Sequence, residues 1–187
     1  MKIKGYKLFL ENKQSKEEID SICQKYDIKN YTINEDGTVD VNGDVNLSFN
    51  KLTKIPLKFG RVTGRFNCSD NRFTSLEGCP NWVGGNFTCN YNKLTTLEGG
   101  PNIVCGSDYR CASNALINFK GIPEHYEGDI WFSDNPVSKL IENIPIEKWN
   151  KFIYWCNEYD AIDNEGNIIP ERMEEVHHKI GLEYEKS

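Results

Sequence analysis

The sequence lacks the features that mark several large classes of protein. No apolar run in its 187 residues approaches the roughly 18 to 20 residues that a membrane span needs. The first residues are too short and too interrupted by charge to form a secretory signal. A net charge of −6 and a pI near 5.2 argue against a broad basic surface for nucleic acid. The sequence therefore predicts a protein of a reducing cytoplasm that binds neither membranes nor nucleic acid.

Motifs of catalysis and metal binding are also missing. There is no Gly-x-Ser-x-Gly motif, no phosphate-binding P-loop and no Cys-x-x-Cys pair. His177 and His178 follow Glu174 and Glu175, but the order His-Glu-x-x-His and a third ligand are absent. Cys156 has no base near it in the sequence. We therefore predict no cofactor, no metal site and no catalytic residue.

What the sequence does contain is seven cysteines, an odd number that fits a reducing compartment better than a set of disulfides. Cys68, Cys89 and Cys111 recur at separations of 21 and 22 residues, and each lies three residues before an asparagine. Two further units extend the pattern to five asparagines, spaced 21, 21, 22 and 21 residues apart. These are Asn50, Asn71, Asn92, Asn114 and Asn135. The chain thus contains an internal repeat.

Apolar residues recur at fixed positions relative to this asparagine. Position −5 holds Val45, Phe66, Phe87, Tyr109 and Ile130, and position −3 holds Leu47, Cys68, Cys89, Cys111 and Phe132. Position −9 holds Val41, Val62, Val83, Cys105 and Tyr126. We expect these side chains to fill a core. We also expect the inward asparagine to bond backbone groups of neighbouring coils that would otherwise be buried unpaired.

The spacing apolar-x-apolar-x-x-Asn-x-apolar resembles that of the leucine-rich repeat. It predicts short stacked strands that form a parallel sheet on one face, with a tight loop on the other. The phrase Phe-x-Cys-x-x-Asn-x-Leu-Thr-x-Leu-Glu-Gly-x-Pro is similar to that of short leucine-rich-repeat-like proteins encoded by tailed bacteriophages, and the resemblance covers residues 30–145. It implies a repeat solenoid, a phage origin and thus a location in the host cytoplasm. It implies no reaction.

We predict an α+β solenoid of five coils between two caps. Residues 1–36 form an N-terminal cap, with a helix that starts at Ser15 and a hairpin that turns at Asp36 and Gly37. Residues 37–145 form the solenoid. Residues 146–187 form a helical cap with ten acids and five bases, which either aids solubility or contacts a basic partner.

The same pattern assigns roles to the cysteines. Cys68, Cys89 and Cys111 are predicted to stack in the core as small apolar residues. Cys105 falls in the −9 position, and Cys23 and Cys156 lie on apolar faces of the cap helices. Cys79, in the loop before Pro80, has no clear inward role, so we expect it to be the most reactive thiol.

Outward residues of the strands are the candidates for binding, because a solenoid presents one side chain per coil at each outward position. Aromatic and charged residues of the types enriched in protein interfaces occur there. The predicted protein-binding residues are Arg65, Tyr91, Asp108, Arg110, Asp129 and Trp131. For Trp131 the alternative is packing beneath the C-terminal cap.

These observations leave three hypotheses for function. The first is a non-enzymatic accessory protein of a phage that binds a host protein through the strand face, with inhibition of that protein as one outcome of binding. The second is an enzyme or small-ligand binder with a pocket between the solenoid and the C-terminal cap, around His177, His178 and Cys156. The third is a structural component of the virion.

Overall fold

A computed structural model describes residues 14–106 and 108–184, which wind into a solenoid of stacked parallel strands that repeats about every 21 residues. One sheet has the order β1-β2-β4-β6-β8-β10, with strands Tyr31–Ile33, Val39–Val41, Phe59–Val62, Trp82–Val83, Ile103–Val104 and His125–Tyr126. The second has the order β3-β5-β7-β9-β11, with strands Val45–Asn46, Phe66–Asn67, Phe87–Thr88, Asp108–Arg110 and Asp129–Trp131. Successive strands of this second sheet lie one turn of the solenoid apart, so its five strands span about four turns.

Each repeat supplies one strand to each of the two sheets, and the prediction of a single sheet opposite a loop is therefore wrong. A short bend separates the two strands of a repeat, as at Gly64 between β4 and β5. The inward residues Val41, Val62 and Val83 are buried, and their β-branched side chains favour extended backbone. The N–H of Gly84 donates to the carbonyl oxygen of Val62 at 2.9 Å, which continues the pairing into the bend. Position −9 thus belongs to a second strand.

The asparagine of the repeat bonds backbone groups of its own coil and of the preceding one, as predicted. In Asn92, the side-chain amide donates to the carbonyl oxygens of Cys68, Cys89 and Asn90 at 3.1, 3.1 and 3.2 Å. Its Oδ1 accepts the N–H of Phe73 at 3.0 Å. The same contacts recur at Asn71, Asn114 and Asn135. The asparagines therefore pair backbone groups in the bend after the second sheet.

Aromatic rings stack through the core along the solenoid axis. The ring of Phe87 lies between those of Phe66 and Tyr109, at centroid distances of 5.8 and 5.0 Å. All three side chains are fully buried. Burial raises the pKa of Tyr109, whose hydroxyl has no hydrogen-bond partner among the described residues. Since each ring is covered by the rings of adjacent repeats, every coil depends on its neighbours for burial.

The fourth repeat is one residue longer than the others, and the extra residue lies in the bend after β8. Val104, rather than Cys105, pairs in register with Val83. Val104 is buried and Cys105 is half-buried, so the predicted inward position of Cys105 is wrong. Neighbouring bends approach closely here: a Cβ on Gly106 would lie 2.2 Å from the carbonyl carbon of Gly85.

The N-terminal segment contains the predicted helix and hairpin, although its first thirteen residues lie outside the described part. Helix α1, Lys16–Lys25, begins at a capping box. The N–H of Glu18 donates to Oγ of Ser15 at 3.2 Å, and the N–H of Ser15 donates to Oε2 of Glu18 at 2.8 Å. Ile19 and Cys23 of this helix are buried. Strands β1 and β2 pair antiparallel as the predicted hairpin.

Helices lie at the C-terminal end of the solenoid. Two 3-10 helices, Pro136–Ile141 and Ile146–Lys148, lead into helix α2, Trp149–Glu158, and helix α3, Pro170–Lys179, follows. Between α2 and α3, one antiparallel bridge joins Ile162 and Ile168. The buried residues of α2 and α3 are Phe152, Ile153, Cys156, Met173 and Val176.

The loop before Pro80 folds inward, so the prediction that Cys79 is the most reactive thiol is wrong. Cys79 is buried, and burial together with the neighbouring Cys68 thiol raises its pKa. Burial likewise raises the pKa of Cys111. Of the seven cysteines, all within the described residues, Cys105 alone is half-buried rather than buried. Because Cys105 is more exposed than Cys79, we expect Cys105 to be the more reactive thiol.

We expect a maleimide to modify Cys105 first, and with a single adduct, in the folded protein at neutral pH. The reason is that the attacking species is an accessible thiolate, and the other thiols are shielded by the core. Intact-mass spectrometry measures the number of adducts, and peptide mapping identifies the site. Concentrated guanidinium should expose all seven thiols. First labelling at Cys79, or an unchanged adduct in Cys105→Ser, would contradict the prediction.

Candidate interaction surface

The outward side of the second sheet carries most of the predicted binding residues. Asp129 pairs in register with Asp108, and Trp131 pairs with Arg110. Tyr109, the middle residue of β9 between Asp108 and Arg110, points into the core. Because side chains alternate along a strand, Asp108, Arg110, Asp129 and Trp131 share the outward side. We name these four residues the β9–β11 patch.

The indole of Trp131 is exposed to 53% and does not pack beneath the C-terminal segment. The next residue, Phe132, makes that contact instead, because its side chain points the other way. Its ring centroid lies 5.8 Å from that of Trp149 and 5.9 Å from that of Phe119. Alternation along β11 and the following residue thus anchors Phe132 and leaves Trp131 in solvent.

Arg110 is held in place by Asp108, another member of the patch. Its Nη2 donates to Oδ2 of Asp108 at 2.8 Å. Asp108 is bonded in turn to Asn86, whose side-chain amide donates to the same oxygen at 3.2 Å. The side chain of Arg110 nevertheless remains 49% exposed. A guanidinium fixed on one side still offers N–H donors and a planar face to a partner.

Two of the predicted residues lie apart from the patch. Arg65 projects from the bend before β5, with β7 between it and β9. Its Nη2 and Nε donate to Oδ2 of Asp44 at 2.8 and 3.1 Å, and this pair holds the pKa of Asp44 below its usual range. Tyr91 lies in the bend after β7 and is exposed. The structure therefore brings together four of the six predicted residues.

Sequence reasoning missed an aromatic residue equivalent to Tyr91. Phe49 and Tyr91 each precede the asparagine of their repeat, and both have left-handed backbone, with φ of 60° and 54°. Asp70, Ser113 and Asp134 have the same conformation in the other repeats. Phe49 is 76% exposed and Tyr91 is 60% exposed. The signal in the sequence is that Phe49 and Tyr91 both directly precede the asparagine of their repeat, at position −1.

The outward side of the first sheet was also missed, because a loop was expected there. Arg61 on β4 pairs in register with Trp82 on β6, and its guanidinium lies 3.4 Å from the centre of the indole ring. Ile103 and His125 continue the same row on β8 and β10. In the sequence, this row is marked by the residues that directly precede the inward residues of the first sheet.

The structure does not assemble a site from His177, His178 and Cys156. Cys156 is buried, and burial raises its pKa. His177 packs edge-on against Phe152, and its Nδ1 lies 2.9 Å from the carbonyl oxygen of Met173, whereas His178 is exposed. An open depression between α2 and α3 is lined by Glu158, Tyr159, Asp160, Glu171, Arg172 and Glu175.

Within residues 14–106 and 108–184, no group of three or more histidine, cysteine, aspartate or glutamate side chains is placed to hold a metal ion. No helix in this part of the chain is long and apolar enough to cross a membrane. Comparisons of the chain with protein-family models, with curated proteins and with solved structures found no match. Function is therefore inferred from the chain's own surfaces.

Proposed function

We propose that the chain is a non-enzymatic module that binds a host or phage protein through the outward side of the second sheet. The β9–β11 patch is the centre of this surface. In a host cytoplasm, occupation of the partner's surface would inhibit the partner. The proposal adds no cofactor and no metal, and it places Arg65 and Tyr91 at the periphery of the contact.

The observation that carries this proposal is the exposed indole of Trp131 beside the fixed guanidinium of Arg110. Tryptophan and arginine are the residues most enriched at the energetic centre of protein interfaces. Both sit on paired strands, so little conformational entropy is lost when a partner orders them. The acids Asp108 and Asp129 flank them and would select a partner with basic groups at its rim.

We also propose the finer description of the fold. The chain would belong with short leucine-rich-repeat-like proteins of tailed bacteriophages, with five coils and a cap at each end. The recurring asparagine contacts and the apolar columns support a repeat of this kind. The buried faces of α1 and α2 support the assignment of caps, because a solenoid end would otherwise expose its apolar cross-section.

We expect the double variant Trp131→Ala, Arg110→Ala to lose capture of a specific partner from host lysate. The two side chains supply the apolar area and the charged donors at the patch, and a loss of about tenfold or more is typical for such residues. The measurement is quantitative mass spectrometry of proteins retained by the immobilised full chain. Recovery of no partner, or capture that survives the double variant, would contradict the proposal.

A matched control uses Tyr154, an exposed aromatic residue on α2. Tyr154→Ala removes a comparable exposed ring far from the second sheet in the chain, and it should leave capture unchanged. An equal loss of capture in both variants would mean that capture depends on non-specific binding by exposed aromatic rings.

A further inference from the structure

A column of cations lies in the bend that follows the second sheet. Lys51, Arg72 and Lys93 each follow the asparagine of successive repeats, and all three are exposed. Backbone hydrogen bonds hold their coils in register: Arg72 donates its N–H to the carbonyl oxygen of Leu52 at 2.7 Å, and Lys93 donates to that of Phe73 at 2.9 Å. The three charges therefore recur at the strand spacing, about 4.8 Å.

The exposed aromatic residues lie next to this column. Phe49 and Tyr91 precede the same asparagines that Lys51 and Lys93 follow. We name Phe49, Lys51, Arg72, Tyr91 and Lys93 the basic-aromatic strip. The ion pairs of the described residues involve none of these three cations. Their charge is therefore available to a partner.

The backbone at Phe49 and Tyr91 carries a cost that their packing does not offset. Left-handed backbone disfavours large side chains by about 1 kcal/mol, whereas aspartate and asparagine tolerate it. Asp70 and Asp134 occupy the same position in other repeats. The two aromatic side chains are mostly exposed, so their burial stabilises the fold too little to offset this strain. Strain without a packing benefit indicates a role outside the fold.

We propose that the basic-aromatic strip binds an acidic amphipathic helix of a partner protein, with the helix lying along the solenoid axis. A helix advances 5.4 Å per turn, close to the coil spacing of about 4.8 Å. One acidic residue per turn would therefore meet Lys51, Arg72 and Lys93 in succession, with a mismatch of only about 1 Å over the strip. An apolar stripe beside the acids would contact Phe49 and Tyr91, which are about 10 Å apart.

Charge and burial favour this occupant over others. The chain's own residues 1–13 contain four lysines and one glutamate, which the three cations would repel. Helix α3 of a second copy is acidic, but its apolar residues Met173 and Val176 are buried in its own fold. A nucleic acid carries a negative charge at every phosphate, so the net charge of −6 and Asp70 would repel it more strongly than a helix with one acid per turn.

The test measures binding of the full chain to a synthetic helical peptide with glutamate once per turn and leucine on the neighbouring stripe. We expect saturable binding that weakens with added salt. Arg72→Gln with Lys93→Gln should weaken it about fivefold, since exposed ion pairs each contribute little. Asp70→Asn should strengthen it about threefold, because a like charge is removed while the left-handed backbone is retained. Tyr154→Ala, the matched aromatic control, should change nothing.

The variant Phe49→Asn distinguishes a role of Phe49 in peptide binding from a role in folding. We expect it to weaken peptide binding about tenfold and to raise Tm, because asparagine suits the left-handed backbone. A fall in Tm would mean that Phe49 is structural, and this result would overturn the proposal. Absence of saturable binding, binding that ignores the charge variants, or tighter binding of an oligothymidylate at the same salt would also overturn it. The β9–β11 patch lies outside the strip, so these failures would leave the proposed function standing.

Discussion

Replacing Asn71 with alanine is expected to lower the free energy of unfolding by about 3 to 5 kcal/mol. Its amide donates to the carbonyl oxygens of Leu47, Cys68 and Ser69 at 2.8, 3.2 and 3.0 Å. Its Oδ1 accepts the N–H groups of Asn50 and Leu52 at 3.2 and 2.9 Å. The residue is buried, so water does not readily replace these contacts. Urea unfolding followed by circular dichroism measures the loss.

The chain offers a matched control in Asn50, the same residue in the first repeat. Asn50 is exposed and its side chain makes two backbone contacts, to the carbonyl oxygens of Leu47 and Ser48. Asn50→Ala should therefore cost about 1 kcal/mol or less, because water can solvate the released groups. Equal losses in the two variants would show that the contacts between coils contribute little.

Replacing Phe87 with alanine is expected to cost about 3 to 5 kcal/mol, the range for deleting a buried aromatic ring. Phe87 is the middle ring of the core stack, with Phe66 on one side and Tyr109 on the other. The cavity left behind would be lined from both adjacent coils, which are held in place by two sheets and cannot easily collapse into it. The midpoint of urea unfolding should fall accordingly.

The control for Phe87 is Thr88→Ala on the same strand. Thr88 points outward and is half-buried, so its loss should stay within about 0.5 kcal/mol. A result in which Phe87→Ala costs less than about 1 kcal/mol would contradict the idea that the ring stack joins the coils. A change in the slope of the unfolding free energy against urea concentration would instead indicate that the coils no longer unfold together.

Much of the solenoid could be predicted because its pattern is local and repeated. The recurrence of Asn71, Asn92 and Asn114 indicated both the repeat length and the inward amide, and the hydrogen bonds confirm this role. The capping box at Ser15 likewise depends on residues three apart, and it starts α1 as predicted. Such features need no knowledge of distant contacts.

The errors arose where a distant contact decides the outcome. The extra residue of the fourth repeat could lie anywhere between two asparagines, and pairing of Val104 with Val83 places it at Cys105. Cys79 was assigned no inward role because the local pattern does not show its hydrogen bond with the thiol of Cys68, which directly follows β5. The first sheet was missed because two-residue strands such as β6 are too short to show an alternating pattern.

By itself, the sequence determined the period, the inward columns and the asparagine contacts, because each follows from side chains at fixed local spacing. Tertiary structure alone decided which surfaces remain for binding. Stacking of the coils aligned Trp131 with Arg110 and left both exposed, and it gathered Lys51, Arg72 and Lys93 into one column. The physical reason is that a repeat pattern specifies which side chains point inward or outward, whereas exposure depends on what packs against a residue from elsewhere in the chain.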